Sequence, residues 1–143
     1  MEDLSGDRFV TFAAAKLSPD GTLEVFSAGQ GPLVIRRHGG AAEVIGSHTF
    51  PLGIAPELPH EEATVRRLAP GDTLLMTSDG LTEARNRRGE QWNTSGLLDT
   101  LNRLHGLAGS ELLGAIDREN IAFADGEPPA DDRTAVVATY RGG

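Results

Sequence analysis

Turn chemistry cuts the first half of this chain into short extended segments, and that punctuation limits the possible folds more than any other feature. "FVTFAAAKL" (9–17) and "TLEVFSA" (22–28) flank Ser18-Pro19-Asp20-Gly21, where Pro19 fixes φ and Gly21 permits a positive φ, a strong hairpin signal. "PLVIRR" (32–37) follows a Gly-rich corner, and His38-Gly39-Gly40 then turns the chain into "AAEVIG" (41–46). The pattern predicts a meander of antiparallel strands. Residues 47–62, "SHTFPLGIAPELPHEE", contain three prolines and little periodicity, which predicts a long surface connection with Leu52 and Ile54 tucked inward. "ATVRRLAPGDTLLMTS" (63–78) reads as two strands around the turn Pro70-Gly71-Asp72.

After Gly80 the period changes. Leu97, Leu98, Leu101 and Leu104 share a helical face, with Thr94 or Ser95 as N-cap and Gly106 as the stop. A second helix is predicted from cap Ser110 through Leu112, Leu113, Ile116 and Phe123, ended by Gly126, Pro128 and Pro129. A last strand, "RTAVVATY" (133–140), is apolar and β-branched enough to be expected centrally in a sheet. Strands, two helices and a strand, with no repeat or internal boundary, predict one domain over residues 1–143.

With 143 residues, 38% of them apolar, the chain can bury one core. The 13 basic and 21 acidic residues give a formal charge of −8, and no basic cluster is long enough to neutralise a phosphate backbone, so nucleic acid is not an expected partner. The absence of cysteine excludes a thiolate metal site and a thiol nucleophile, leaving oxygen and nitrogen groups for any catalysis. "MEDLSGDRFV" lacks the basic and apolar regions of a signal peptide, and no apolar run nears the ~20 residues of a membrane span, so a cytoplasmic protein without membrane association is expected.

Two acidic positions sit at ends of predicted strands: Asp79 after "TLLMTS", and Asp131 with Asp132 before "TAVVATY". In an antiparallel sheet, the end of one strand and the start of its neighbour lie at the same edge, which would bring these carboxylates together. Convergent carboxylates repel unless a cation lies between them. Taken singly, Asp-Gly is also an ordinary turn dipeptide, and paired aspartates in a Pro-rich loop also serve as caps or solubilising charge. His38, His48, His60 and His105 show no metal-ligand spacing and are expected on loops or the surface. "RRH" (36–38) and "RNRR" (85–88) read first as a solvated strand end and loop, and second as Arg forks for a phosphorylated partner. Trp92, the only tryptophan, is expected to anchor the core where the helices begin.

The ordered strings "FVTFAAAKLSPDGTLEVFSAGQGPLVIRR", "FPLGI", "LAPGDTLLMTSDGLTEARNRRGEQW" and "DDRTAVVATY" resemble the second half of a PPM-type (PP2C-like) serine/threonine phosphatase domain. The likeness is to the SpoIIE and RsbU phosphatases of bacterial stress response and sporulation. It implies an α+β fold, an α-β-β-α sandwich of antiparallel sheets of which the N-terminal part is not seen in these 143 residues. It also implies two Mn²⁺ or Mg²⁺ ions and a phosphorylated regulatory protein, such as an anti-sigma-factor antagonist, as substrate. Hard divalent cations prefer oxygen donors, in keeping with such a ligand set. Position by position, Asp79 and Asp131 match metal aspartates, Asp132 stands at an adjacent position that is acidic or Asn, and Gly80 matches the glycine of the turn. Glu83 is read as a helix-start charge.

Against the resemblance, the family's first-half ligand motifs are not seen, and Gly6-Asp7 precedes the first strand too closely to replace them. Gln30 in "SAGQGP" stands where the subfamily commonly has His. The resemblance therefore leaves two expectations: a phosphatase completed by a dimer partner or a complementing N-terminal half, or a non-catalytic relative that binds partners.

Overall fold

The computed structural model describes residues 8–57, 59 and 61–143, so Gly6, Asp7 and His60 lie outside the described residues. The elements are β1 (Phe12–Leu17), β2 (Thr22–Ala28), β3 (Leu33–Arg36), β4 (Ala42–Ile45), β5 (Thr64–Arg67), β6 (Thr73–Thr77), α1 (Asp79–Thr82), α2 (Asn93–Arg103), α3 (Gly109–Ala124) and β7 (Ala135–Thr139). Two antiparallel sheets form, in the orders β1-β2-β5 and β4-β3-β6-β7.

Period-2 alternation sorts the side chains into two cores. Leu23 and Val25 of β2 meet Leu33, Ile35, Ile45 and Leu74 between the sheets. The intervening residues Val34 and Leu75 face the other way, onto Leu97, Leu101, Leu112 and Ile116 of the helices. Strands β3 and β6 are thus covered on both faces, which is why they read as unbroken apolar runs. Trp92 is buried in the helix-side core, as expected, and Gly96 gives it room: a Cβ there would lie 2.6 Å from the indole Cδ1.

Several expectations are corrected. The first four strands are two hairpins in different sheets rather than one meander, and β5 and β6 likewise pair with β2 and β3 rather than with each other. The chain crosses between sheets at Gly29, whose φ of +68° and close contact with Pro51 exclude a side chain. β7 lies at the edge of its sheet among the described residues, and its burial alternates. Thr94, Ser95 and Ser110 cap nothing, because α2 and α3 begin before them, preceded by Trp92 and Ala108 without side-chain caps. Ile54 is exposed.

The pair "RR" at 36–37 is likewise not a solvated strand end. Arg36 is buried, and its guanidinium donates to Leu104 O at 2.9 Å, a carbonyl at the end of α2, and also to Leu107 O in the loop beyond. Arg37 donates to Asp72 Oδ2 at 2.8 Å and to Arg67 O at 2.7 Å. Asp72 also accepts from the amides of Ala69 and His38, each at 2.9 Å, so one buried carboxylate joins the turn before β6 to the turn after β3.

Burial pushes the Asp72 carboxyl up, but the Ala69 amide, the Arg37 side chain and the His38 amide outweigh it and hold it below its ordinary 3.8. A depressed folded value means the contribution is complete above about pH 4 and is lost as pH falls through the folded value. Thermal melts of Asp72→Asn should therefore show a deficit of about 2 kcal/mol at neutral pH that narrows as the pH drops below about 4. A deficit independent of pH would assign the role to shape alone.

Candidate functional site

Pairing of Thr77 with Ala135 brings the end of β6 and the start of β7 to one edge of the sheet. The junction is closed by side chain and backbone together. Ser78 N donates to Thr134 O at 2.9 Å, Thr134 N donates to Ser78 Oγ at 2.9 Å, and that hydroxyl donates to Asp132 O at 3.3 Å. Gly80 then lies against the other acidic loop, since a Cβ there would sit 2.2 Å from Asp132 O and 3.4 Å from the Asp131 carbonyl carbon. Gly80 is not among the glycines with a positive φ, so the close approach of this backbone is what leaves no room for a side chain, inside the four-residue α1.

Asp79 opens α1 and is exposed, as are Asp131 and Asp132. Asp131 Oδ1 accepts the Asp132 amide at 2.7 Å. Among the described residues none of the three carboxylates pairs with a basic side chain. Glu83 sits at the C-terminal end of α1, which removes its reading as a helix-start charge. Beyond it the chain forms a bridged loop, in which Asn86 Oδ1 accepts the amides of Arg88 and Glu90 at 3.0 Å each. Arg85 donates to Gly89 O at 2.8 Å and Arg87 to Asp125 O at 2.7 Å, so part of "RNRR" braces this loop.

A cleft of about 300 Å³ between the sheets opens beside the junction, lined by Ala13, Gln30, Met76, Ser78, Thr134 and Val136 among others. Gln30 donates to Thr77 O at 2.6 Å and accepts from Thr11 Oγ1 at 2.8 Å, so its amide bridges the two sheets one residue before Ser78. His48 lies in the loop after β4, as expected, but is half-buried there: it stacks on Phe26, accepts the Ser27 amide at Nδ1 and meets Thr64 Oγ1 at Nε2, 2.8 Å away.

Sequence reasoning passed over Asn120. It is completely buried in α3, donates to Leu81 O at 2.9 Å and accepts from Arg133 Nη1 at 2.8 Å. Its signal was a polar residue four positions after Ile116 on an apolar helix face.

These donors are of the kind a hard divalent cation takes: exposed carboxylate oxygens, with no ammonium or guanidinium paired to them among the described residues. Among the described residues, however, no three His, Asp or Glu side chains, Asp79, Asp131 and Asp132 included, are grouped to hold a metal.

The model of the Stage II sporulation protein E (SpoIIE) family matches residues 1–141. Protein IcfG from Synechocystis sp. is 31% identical over 124 residues, 85% of this chain and 19% of that protein. The RsbU and RsbW domains of Rv1364c from Mycobacterium tuberculosis superpose with a TM-score of 0.73 at 20% identity, covering 92% of this chain and 37% of that one. The phosphatase domain of SpoIIE from Bacillus subtilis, presoaked with Mn, gives 0.66 at 22% identity, covering 92% and 56%. The chain thus has the PP2C-like fold and spans between a fifth and just over half of these relatives.

Gly80→Ala should cost about 1–3 kcal/mol in urea denaturation, because the new methyl group meets backbone rather than a movable side chain. An unchanged midpoint would show that the two acidic loops are not held in contact.

Proposed function

This chain belongs to the SpoIIE family of PP2C-type phosphatase domains, and we propose that it supplies the Asp79, Asp131 and Asp132 side of a metal-dependent protein serine/threonine phosphatase site. The observation that carries the reading is the seating of Gly80 on the Asp131–Asp132 backbone, which holds two acidic loops, 52 residues apart (131 − 79), at one sheet edge, with no basic partner for the three carboxylates among the described residues. Asp79 and Asp131 are the ligands in this reading, and Asp132 is the adjacent acid. The cations are Mn²⁺ or Mg²⁺. When bound, they lower the pKa of a water and neutralise phosphate charge.

The chain's own residues orient and shape the site. Ser78 and Thr134 lock the junction, Gly80 lets α1 reach the second loop, and the cleft beside Gln30 leaves the edge open to a substrate. The substrate class is a phosphoserine or phosphothreonine of a regulatory protein, such as an anti-sigma-factor antagonist.

The remaining ligands come from polypeptide outside the described residues, either a complementing N-terminal half or a second copy. Two edges without a partner strand among the described residues support this. β1 and β7 end their sheets on the same side, where Ala13 and Val136 share the cleft, while β5 and β4 are joined on the other side by Arg66 and Glu43 at 2.6 Å. Leu17 and Val136, on the facing surfaces of these edges, are exposed. A second reading, a non-catalytic partner-binding module, is favoured by the incomplete ligand set.

Phosphate release from a phosphoserine protein, measured with Mn²⁺ on the chain alone and with the complementing half, separates the two. The enzyme reading expects Mn²⁺-dependent turnover that falls at least about 100-fold in Asp79→Ala or Asp131→Ala, since even indirect changes around a metal cost about 10–100-fold. Partner binding indifferent to chelator, with no turnover in either assembly, decides for the module.

A further inference from the structure

Asn120 is fully buried in α3, yet both ends of its amide are spent on the two acidic loops rather than on its own helix. Its Nδ2 donates to Leu81 O, two residues after Asp79, and its Oδ1 accepts from Arg133, the residue after Asp132. Arg133 is further held 3.5 Å from Asp117, one turn earlier on α3, and its side chain is only a quarter exposed. It lines two clefts, of about 180 and 440 Å³. A carboxamide is suited to this place because it offers a donor and an acceptor at one point, and a buried polar group left unpaired is costly.

We propose that Asn120 is a positioning residue: a latch on α3 that sets the placement of Asp79 against Asp131 and Asp132 by fixing Leu81 with one hand and Arg133 with the other. The proposal rests on the reading of those aspartates as the site, but it concerns a mechanical link that is present whether or not the site turns over. β6 and β7 join the loops at their strand ends, and the Ser78 hydroxyl joins them at the junction. Asn120 holds them from the helix layer, so the acidic edge is braced from two layers of the sandwich.

Hydrogen exchange read by mass spectrometry on the full chain tests the link without metal or substrate. The reporters are the amides of Leu81 and Glu83 in one loop, bonded to Ser78 O and Asp79 O, and of Thr134 in the other, bonded to Ser78 Oγ. Asn120→Leu, close in volume and without polar atoms, should accelerate exchange about tenfold in both loops and leave β2 and β3 unchanged. Asn120→Asp keeps the acceptor for Arg133 and turns an oxygen toward Leu81 O, so it should free the first loop and spare the second. Arg133→Gln should do the reverse, and this partly exposed position keeps the test decisive if Asn120→Leu does not fold. Uniform acceleration across the chain, or the same pattern in Asn120→Asp and Asn120→Leu, would overturn the proposal, as would an unchanged second loop in Arg133→Gln. Failure of the phosphatase reading would appear separately, as absent turnover with the exchange pattern intact.

Discussion

Burial of β6 on both faces is the constraint from which the rest of the arrangement follows. Leu74 enters the core between the sheets and Leu75 the core beneath the helices, so the strand cannot slip by one residue without exchanging the two. Fixed register fixes its neighbours. β3 lies on one side and β7 on the other, and the two turns that bound β6 are held at opposite edges of the sheet.

Each of those turns carries an aspartate next to a glycine, and their surroundings set them apart. Asp72, at the root, is buried and accepts from two amides and a guanidinium, so its charge is consumed by the fold. Asp79, at the tip, is exposed and paired with no basic side chain among the described residues. A carboxylate satisfied by the protein has nothing left for a ligand, whereas one left unsatisfied beside other carboxylates still has its charge to give.

Much of this was legible from residues. Strand positions followed from turn chemistry and helix positions from Leu spacing, both local signals. Which sheet each strand joins was not legible, because the crossover at Gly29 depends on its approach to Pro51, a contact 22 residues away (51 − 29). The caps were misplaced because tertiary packing of Trp92 starts α2 where no side-chain cap exists. At the site, strand-end aspartates could be picked out by position. The burial of Arg36 and the bridging by Asn120 could not, since a buried polar residue and a solvated one look alike until their partners are known.

The exposure of Asp79, Asp131 and Asp132 has an evolutionary side. What keeps their loops together is the Ser78 hydroxyl, the missing side chain of Gly80 and backbone pairing, and no hydrogen bond between the loops uses the three carboxylates. Chemistry and folding therefore draw on separate residues at this edge. A lineage could exchange these acids for neutral side chains at little cost to stability, and the scaffold would survive as a docking surface after its reaction was gone.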